Sequence, residues 1–365
     1  MNHPAPGPPR GRGTDLRPQN RFVPLEVVPD PEAEAADGDG SGEPDSQRGP
    51  RTEFLADSSR SIVSRNDSPD IPFTYSLNPY RGCEHGCAYC YARPSHEFLG
   101  FDAGLDFETR IVVKHQAADL FRDWLNRPGW EPATIAFSGV TDCYQPIERT
   151  LKLTRGCLEV AAEARQPIGL ITKNAMLVRD LDLLEQLNRH AAVSVSLSLT
   201  TLDAGLARKL EPRTSSPEAR LRTIATLSEA GIPVRVMLAP IIPGLTDSEV
   251  PAILKAAADA GARSASWQML RLPLAVETVF VDWVSRTLPD AAERVLGRIR
   301  SVRDGQLSDT QFGRRMRGTG PLAEQIRSTF EVFAARHGLD QRLPPLSGDS
   351  FRPPTPTSGQ LRLFF

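Results

Sequence analysis

Three cysteines fall within eight residues of this chain, in Arg81-Gly82-Cys83-Glu84-His85-Gly86-Cys87-Ala88-Tyr89-Cys90-Tyr91. A CxxxCxxC spacing lets one loop offer three thiolates to a cubane 4Fe-4S cluster while the fourth iron stays open to a small ligand. Gly82 and Gly86 permit the tight backbone path that such a loop requires. Two other readings of the same residues are a zinc site completed by His85 or a remote side chain, and a ferredoxin-type electron carrier. Structural zinc usually takes four ligands in paired knuckles, and the ferredoxin run has a fourth cysteine close by; the segment has neither. The full chain has five cysteines, an odd number, so a disulfide framework is a poor account of them, and clustered thiols in a reducing compartment point to metal or catalysis.

The elements that must position this loop alternate along the chain. Short apolar or β-branched runs predict strands at Phe73 to Leu77, Thr134 to Ser138, Ile168 to Thr172, Val193 to Leu199, Val234 to Ala239 and Ser264 to Leu270. Helical periods lie between them, at Gln116 to Asn126, Leu151 to Arg165, Leu177 to Asn188, Pro217 to Ala230 and Asp247 to Ala260. This is an α/β pattern of six βα-like steps, short of the eight of a closed barrel, so a partial barrel and a doubly wound open sheet are the two choices.

Four regions are expected. Residues 1–60 read as a disordered acidic and Pro/Gly-rich tail, with Phe22 to Val28 as a stretch able to pack on the surface. The core covers 61–275, a helical extension 276–340, and a Pro-rich tail 341–365. The net charge is −2, yet the run from Glu26 to Asp45 holds eight acidic and no basic residues, and without it 43 basic residues face 37 acidic ones. A mildly basic body is compatible with an anionic substrate. No apolar stretch reaches the roughly 20 residues of a bilayer span, and Met1 to Arg10 has no apolar signal region, so no membrane partner and a cytoplasmic location are expected.

The cysteine segment resembles the radical S-adenosylmethionine (SAM) superfamily signature, CxxxCxΦC, with Tyr89 as the aromatic before the last cysteine. Leu77-Asn78-Pro79-Tyr80 ahead of it, and Cys90-Tyr91-Ala92-Arg93 with His96-Glu97 behind it, are similar to the spore photoproduct lyase-related branch over roughly Pro72 to Pro273. The resemblance implies a partial (β/α)6 TIM-like barrel of the radical SAM type, a 4Fe-4S cluster on Cys83, Cys87 and Cys90, and SAM as the ligand of the open iron. It further implies reductive cleavage of SAM to a 5'-deoxyadenosyl radical, fed by an electron donor such as flavodoxin or ferredoxin.

For SAM, the resemblance points to Ser138-Gly139-Val140-Thr141-Asp142 after the second strand, where the common family form is Gly-Gly-Glu, and to Lys173 and Arg213 as partners for its charged groups. Pro240 to Asp247 corresponds to the region lying against adenine. Ser194, Ser196, Ser198 and Thr200 alternate on one face of the fourth strand, and either bind the ligand or line a polar interior. The lyase returns a hydrogen atom from a cysteine that aligns with Gly139, whereas this chain offers Cys143 and Tyr144 a few residues later as candidate donors; Cys157 reads as packing. DNA is the substrate that the resemblance implies, with seven arginines between Arg294 and Arg317 as a phosphate-contacting surface. Gln360, Leu361, Leu363 and Phe364 resemble a bacterial sliding-clamp-binding peptide. The same radical chemistry applied to a protein, tRNA or small molecule, and a non-catalytic iron-sulfur or zinc module, are the competing functions.

Overall fold

The structure, a computed structural model, describes residues 11–23 and 50–356. Its main sheet contains six parallel strands: β3 (Tyr75–Leu77), β6 (Ile135–Phe137), β7 (Ile168–Thr172), β8 (Val193–Ser198), β9 (Val234–Ile241) and β10 (Ser264–Met269). They lie side by side in chain order, and β2 (Val63–Arg65) adds an antiparallel edge to β3. Sequential order decides between the two expected architectures. A doubly wound sheet reverses its strand order at a switch point, whereas a partial barrel never does. The fold is therefore the partial (β/α)6 barrel. Three further strands, β1 (Glu53–Ala56), β4 (Tyr80–Arg81) and β5 (Arg110–Val113), form a small sheet in the order β1-β5-β4 that the sequence pattern did not reveal.

Leu170, Val195, Leu197, Val234 and Val236 of the strands, all essentially inaccessible, share one apolar core with Leu158, Leu184, Ile224 and Leu254 of the helices that cover the sheet. These are α1 (Ala117–Leu125), α2 (Leu153–Ala164), α3 (Leu181–Asn188), α4 (Ala204–Leu210), α5 (Pro217–Glu229) and α6 (Val250–Asp259). Two expected helices are shorter than their apolar periods. Ala175–Asp180 is a 3-10 turn ahead of α3, and Asp247–Glu249 is another ahead of α6. The periodicity ran through because i and i+3 positions share a face in both helix types.

The extension consists of α7 (Ala275–Thr287), α8 (Pro289–Ser301) and α9 (Gly320–Arg336). It is not a separate appendage. Val276, Phe280, Trp283, Val295 and Ile299 build a second apolar core that includes Cys87, Ala88 and Tyr89 of the cysteine loop.

Both expected tails are in part packed segments. Thr14 is wholly inaccessible, Arg12 and Asn20 are buried, and residues 53–56 form β1. These residues pack through backbone contacts and ion pairs, which carry no hydrophobic signature. At the other end, Arg352 N donates to Ala164 O at 3.0 Å and Ser347 N to Ala191 O at 3.0 Å, while the carbonyls of Pro354 and Thr355 accept from Asn126 and Arg122. An extended Pro-rich strand keeps its carbonyls free to accept bonds along a surface. Gln360, Leu361, Leu363 and Phe364 lie outside the described residues. Among the described residues no helix is long and apolar enough to cross a membrane.

Candidate metal centre

The cysteine loop leaves the C-terminal end of β3 and is tied down on several sides. Cys83 N donates to Phe107 O at 2.8 Å, Ala88 N to Leu210 O at 3.1 Å and Cys90 N to Cys87 O at 3.2 Å. Gly82 and Gly86 adopt φ of 80° and 63°, a left-handed conformation that glycine takes without strain and that gives the loop its expected tight path. Cys83 and Cys87 are buried and Cys90 is half-buried. Burial pushes all three thiols up; Cys90 adds to the effect at Cys83, and the other two thiols add to it at Cys87. A metal that replaces their protons would relieve an unfavourable set of thiolates, which is the donor chemistry a 4Fe-4S cluster requires.

Among the described residues no three His, Cys, Asp or Glu side chains converge on a single ion. Each thiolate of a cubane binds a different iron, so its ligands stand farther apart than the ligands of one metal ion.

Charged networks brace the loop. Arg93, wholly buried, donates through Nη2 to Cys87 O at 2.9 Å, through Nη1 to Gly104 O at 2.8 Å, and pairs with the equally buried Glu108. Tyr89 donates to Glu211, which also accepts from Thr200 Oγ1 at 2.8 Å and pairs with buried Arg220. Burial opposes ionisation of Glu211, but Arg220 and Lys173, with the Tyr89 hydroxyl, hold its carboxyl down at about 2. Asp142 joins two strand ends, accepting from Thr172 Oγ1 at 2.7 Å and Lys173 N at 2.8 Å, with His85 Nδ1 at 3.5 Å. Glu84 accepts from Ile147 N at 2.8 Å and pairs with Arg213 at 3.1 Å.

The structure gathers most of the expected residues around the loop. Tyr89, Thr200 and Lys173 lie together, with Lys173 Nζ 6.0 Å from the Tyr89 ring centre. Ser198 is buried on the same strand. Ser138 turns its Oγ to accept from Cys143 N at 2.8 Å, and a Cβ on Gly139 would stand 2.5 Å from Ser76 Cβ, so β3 forbids a side chain there. Arg213 borders an open cleft of about 320 Å³ with Arg149, Asn174 and Ser215.

Cys143 and Tyr144 depart from expectation. Both are wholly inaccessible in the barrel core, with Thr154 Oγ1 bonding Cys143 O and the Tyr144 hydroxyl donating to Asp180 at 2.9 Å. Nearness to the loop in sequence did not reveal that both side chains turn inward. Cys157 packs in the same core, as read. Of the arginine run only Arg303 is buried, donating to Leu270 O; Arg314 pairs with Asp304, Arg315 with Asp70, and the exposed Arg317 donates to Trp267 O. Arg294, Arg298 and Arg300 remain exposed on α8.

Glu108 and Arg220 are absent from the sequence reading, and Tyr91, Arg93, Asp142 and Glu211 entered it only as members of longer motifs without roles of their own. Tyr91 is half exposed and donates to Gly139 O at 3.1 Å, which joins the cysteine loop to the β6 loop. Its place beside Cys90 in an aromatic-rich motif was the available signal.

A family model described as the Radical SAM superfamily matches residues 77–257. The uncharacterized protein Rv2578c of Mycobacterium tuberculosis is 39% identical over 226 residues, 61% of this chain and 66% of that relative. The uncharacterized protein MJ0683 of Methanocaldococcus jannaschii is 32% identical over 175 residues, 48% of this chain and 63% of that protein. The chain thus spans just under two thirds of the length of these relatives. Among solved structures, spore photoproduct lyase complexed with dinucleoside spore photoproduct covers 78% of this chain and 79% of its own, at a TM-score of 0.52 and 15% identity. At that identity the likeness speaks for the fold alone.

Proposed function

From the premise that this chain belongs to the radical SAM superfamily, we propose that it acts on damaged nucleic acid in the manner of a photoproduct lyase. Radical SAM proteins are enzymes that use a 4Fe-4S cluster and SAM. Cys83, Cys87 and Cys90 would hold the cluster, which when bound supplies the electron that cleaves the SAM sulfonium bond to methionine and a 5'-deoxyadenosyl radical. The observation carrying the proposal is the set of three closely spaced thiols, two buried and one half-buried, on a braced loop that follows the first barrel strand. Lys173 is assigned to the carboxylate of SAM, because its ammonium stands beside Tyr89 at the strand ends. Thr200 and Arg213 are assigned to positioning, since their polar atoms already engage Glu211 and Glu84. Tyr91 and Val140, exposed beside Gly139, form the wall offered to the substrate. Cys143, enclosed in the core, is excluded from the hydrogen-returning role.

The nucleic-acid reading is supported by the resemblance of Leu77 to Glu97 to the lyase branch and by the basic balance outside Glu26 to Asp45. Low-potential chemistry needs a reducing compartment and an electron donor such as flavodoxin or ferredoxin, so the proposal assigns the chain to the cytoplasm. The test is anaerobic reconstitution. A brown protein that yields 5'-deoxyadenosine from SAM and dithionite supports the reading, and a colourless zinc protein overturns it. Incubation with deuterated, lesion-bearing DNA then tests the substrate. Deuterium in 5'-deoxyadenosine supports DNA; its absence favours a protein, tRNA or small molecule.

A further inference from the structure

We infer that residues 11–23 form a built-in clamp on the cysteine loop and control both its closure and its retention of metal. The inference rests on the reading of that loop as the metal site. The contact is specific at the level of backbone. A Cβ on Gly13 would stand 1.9 Å from Gly86 O, and one on Gly86 would stand 3.1 Å from Gly13 N and 2.8 Å from Glu108 Oε2. Only two glycines can meet this closely, so Gly86, immediately before Cys87, is covered by Gly13.

The clamp is fastened to the same charges that brace the loop. Gly13 N donates to Glu108 Oε2 at 2.9 Å, and the other oxygen of that carboxylate takes Arg93, which holds Cys87 O. Arg12 donates to Glu108 O at 2.7 Å, to Pro50 O at 2.8 Å and to Thr52 Oγ1 at 2.9 Å. A second close approach follows. Leu105 N donates to Leu16 O at 2.9 Å, and a Cβ on Gly104 would come within 2.0 Å of that oxygen. Asn20 Nδ2 then bonds Glu97 O at 2.9 Å and Phe101 O at 2.8 Å, and Asp15 pairs with Arg286 of α7 at 2.6 Å. Thus 11–23 bonds the turn after the cysteines, the segment carrying Glu108 and the helical extension. Phe107, Leu210 and Arg213 bond the loop on its other sides, so opening on the side covered by 11–23 is local and the clamp sets how often it occurs.

The experiment uses the full chain with Gly13→Val and, separately, Arg12→Met, which keeps the stem but removes the donors. Gly297→Ala, on an open face of α8, is the control. Metal-free protein is exposed to a maleimide and the labelled cysteines are mapped by mass spectrometry, with Cys143 and Cys157 as reporters of barrel integrity. Cys83, Cys87 and Cys90 should react faster in both variants by about fivefold or more, with Cys143 and Cys157 unchanged. After reconstitution, chelator-driven iron loss should accelerate by about the same factor. Wild-type labelling rates in both variants would overturn the clamp. Equal acceleration at all five cysteines would also overturn it, because the segment would then be stabilising the whole barrel. Should wild type bind no iron and sulfide while the three thiols are selectively unmasked, the clamp stands and the radical SAM reading falls.

Discussion

Two groups of cysteines in this molecule are both largely buried and yet have opposite surroundings. Cys143 and Cys157 sit among Phe137, Leu158, Leu170 and Leu177 in the barrel core. Cys83, Cys87 and Cys90 sit at a strand end within reach of Lys173, Arg93, Glu211 and Tyr89, on a loop held by buried ion pairs. Burial alone therefore does not assign a cysteine its role. What separates the groups is whether the neighbours can accept a change of charge.

The most severe way to test this contrast is to remove thiols one at a time. Alanine at Cys83, Cys87 or Cys90 should abolish cluster assembly and SAM cleavage, read as iron, sulfide and 5'-deoxyadenosine per chain. Cys143→Ala should retain both and cost only about 1 kcal/mol in urea unfolding, the loss of a small buried group. Loss of cleavage in a Cys143→Ala chain that keeps its iron would return Cys143 to the chemistry.

The sequence disclosed one group and misplaced the other for a physical reason. Spacing and glycines identify a ligand loop because metal geometry constrains neighbours in the chain, and the six strands were visible because β-branched runs such as Val193 to Leu199 must be buried. Ile168–Thr172 matches its expected bounds in full. The direction in which Cys143 points depends on Ser138, whose φ of 69° no local pattern announces. The clamp was invisible because Arg12 and Gly13 bind through close backbone approach and hydrogen bonds, and the composition around them reads as a tail. Glu211 and Arg220 were likewise separated by a turn and had no periodic signature.

If charged neighbours are what set the loop apart, breaking one pair should cost more than most core changes. Arg220→Met removes the only ion-paired partner of buried Glu211 among the described residues, leaving Lys173 as its nearby charge, and should destabilise the chain by about 3 kcal/mol in urea. Glu211→Leu combined with Arg220→Met should recover much of that loss. A loss below about 1 kcal/mol would mean that the pair does not organise the loop.

The contrast sharpens with pH at His96, wholly buried between Phe101 and Phe107 behind the cysteine loop. Burial lowers its pKa to about 4, against the opposing charge of Asp106. The unfolded chain takes this proton near 6.5 and the folded chain only near 4. The contribution is therefore complete above 6.5 and is lost as pH falls from there to 4, in total on the order of 3 kcal/mol. His96→Leu should flatten that limb of the stability profile measured by thermal unfolding. An unchanged limb would place the acid sensitivity elsewhere.

The smallest expected effect on stability concerns the surface arginines, where charge is not buried at all. Arg294 and Arg298 stand one turn apart on α8, exposed, and Arg298 lies against Gly244 in the β9 loop. Replacing both by Ala should move stability by less than about 0.5 kcal/mol, since neither lies in a buried network. If nucleic acid is the substrate and α8 contacts its phosphates, the same double variant should bind lesion-bearing DNA more weakly at every sequence. The slope of log affinity against log salt should then fall by about two, one for each lost phosphate contact. An unchanged slope would remove α8 from the binding surface, and a change confined to one DNA sequence would mean that these arginines read bases and not phosphates.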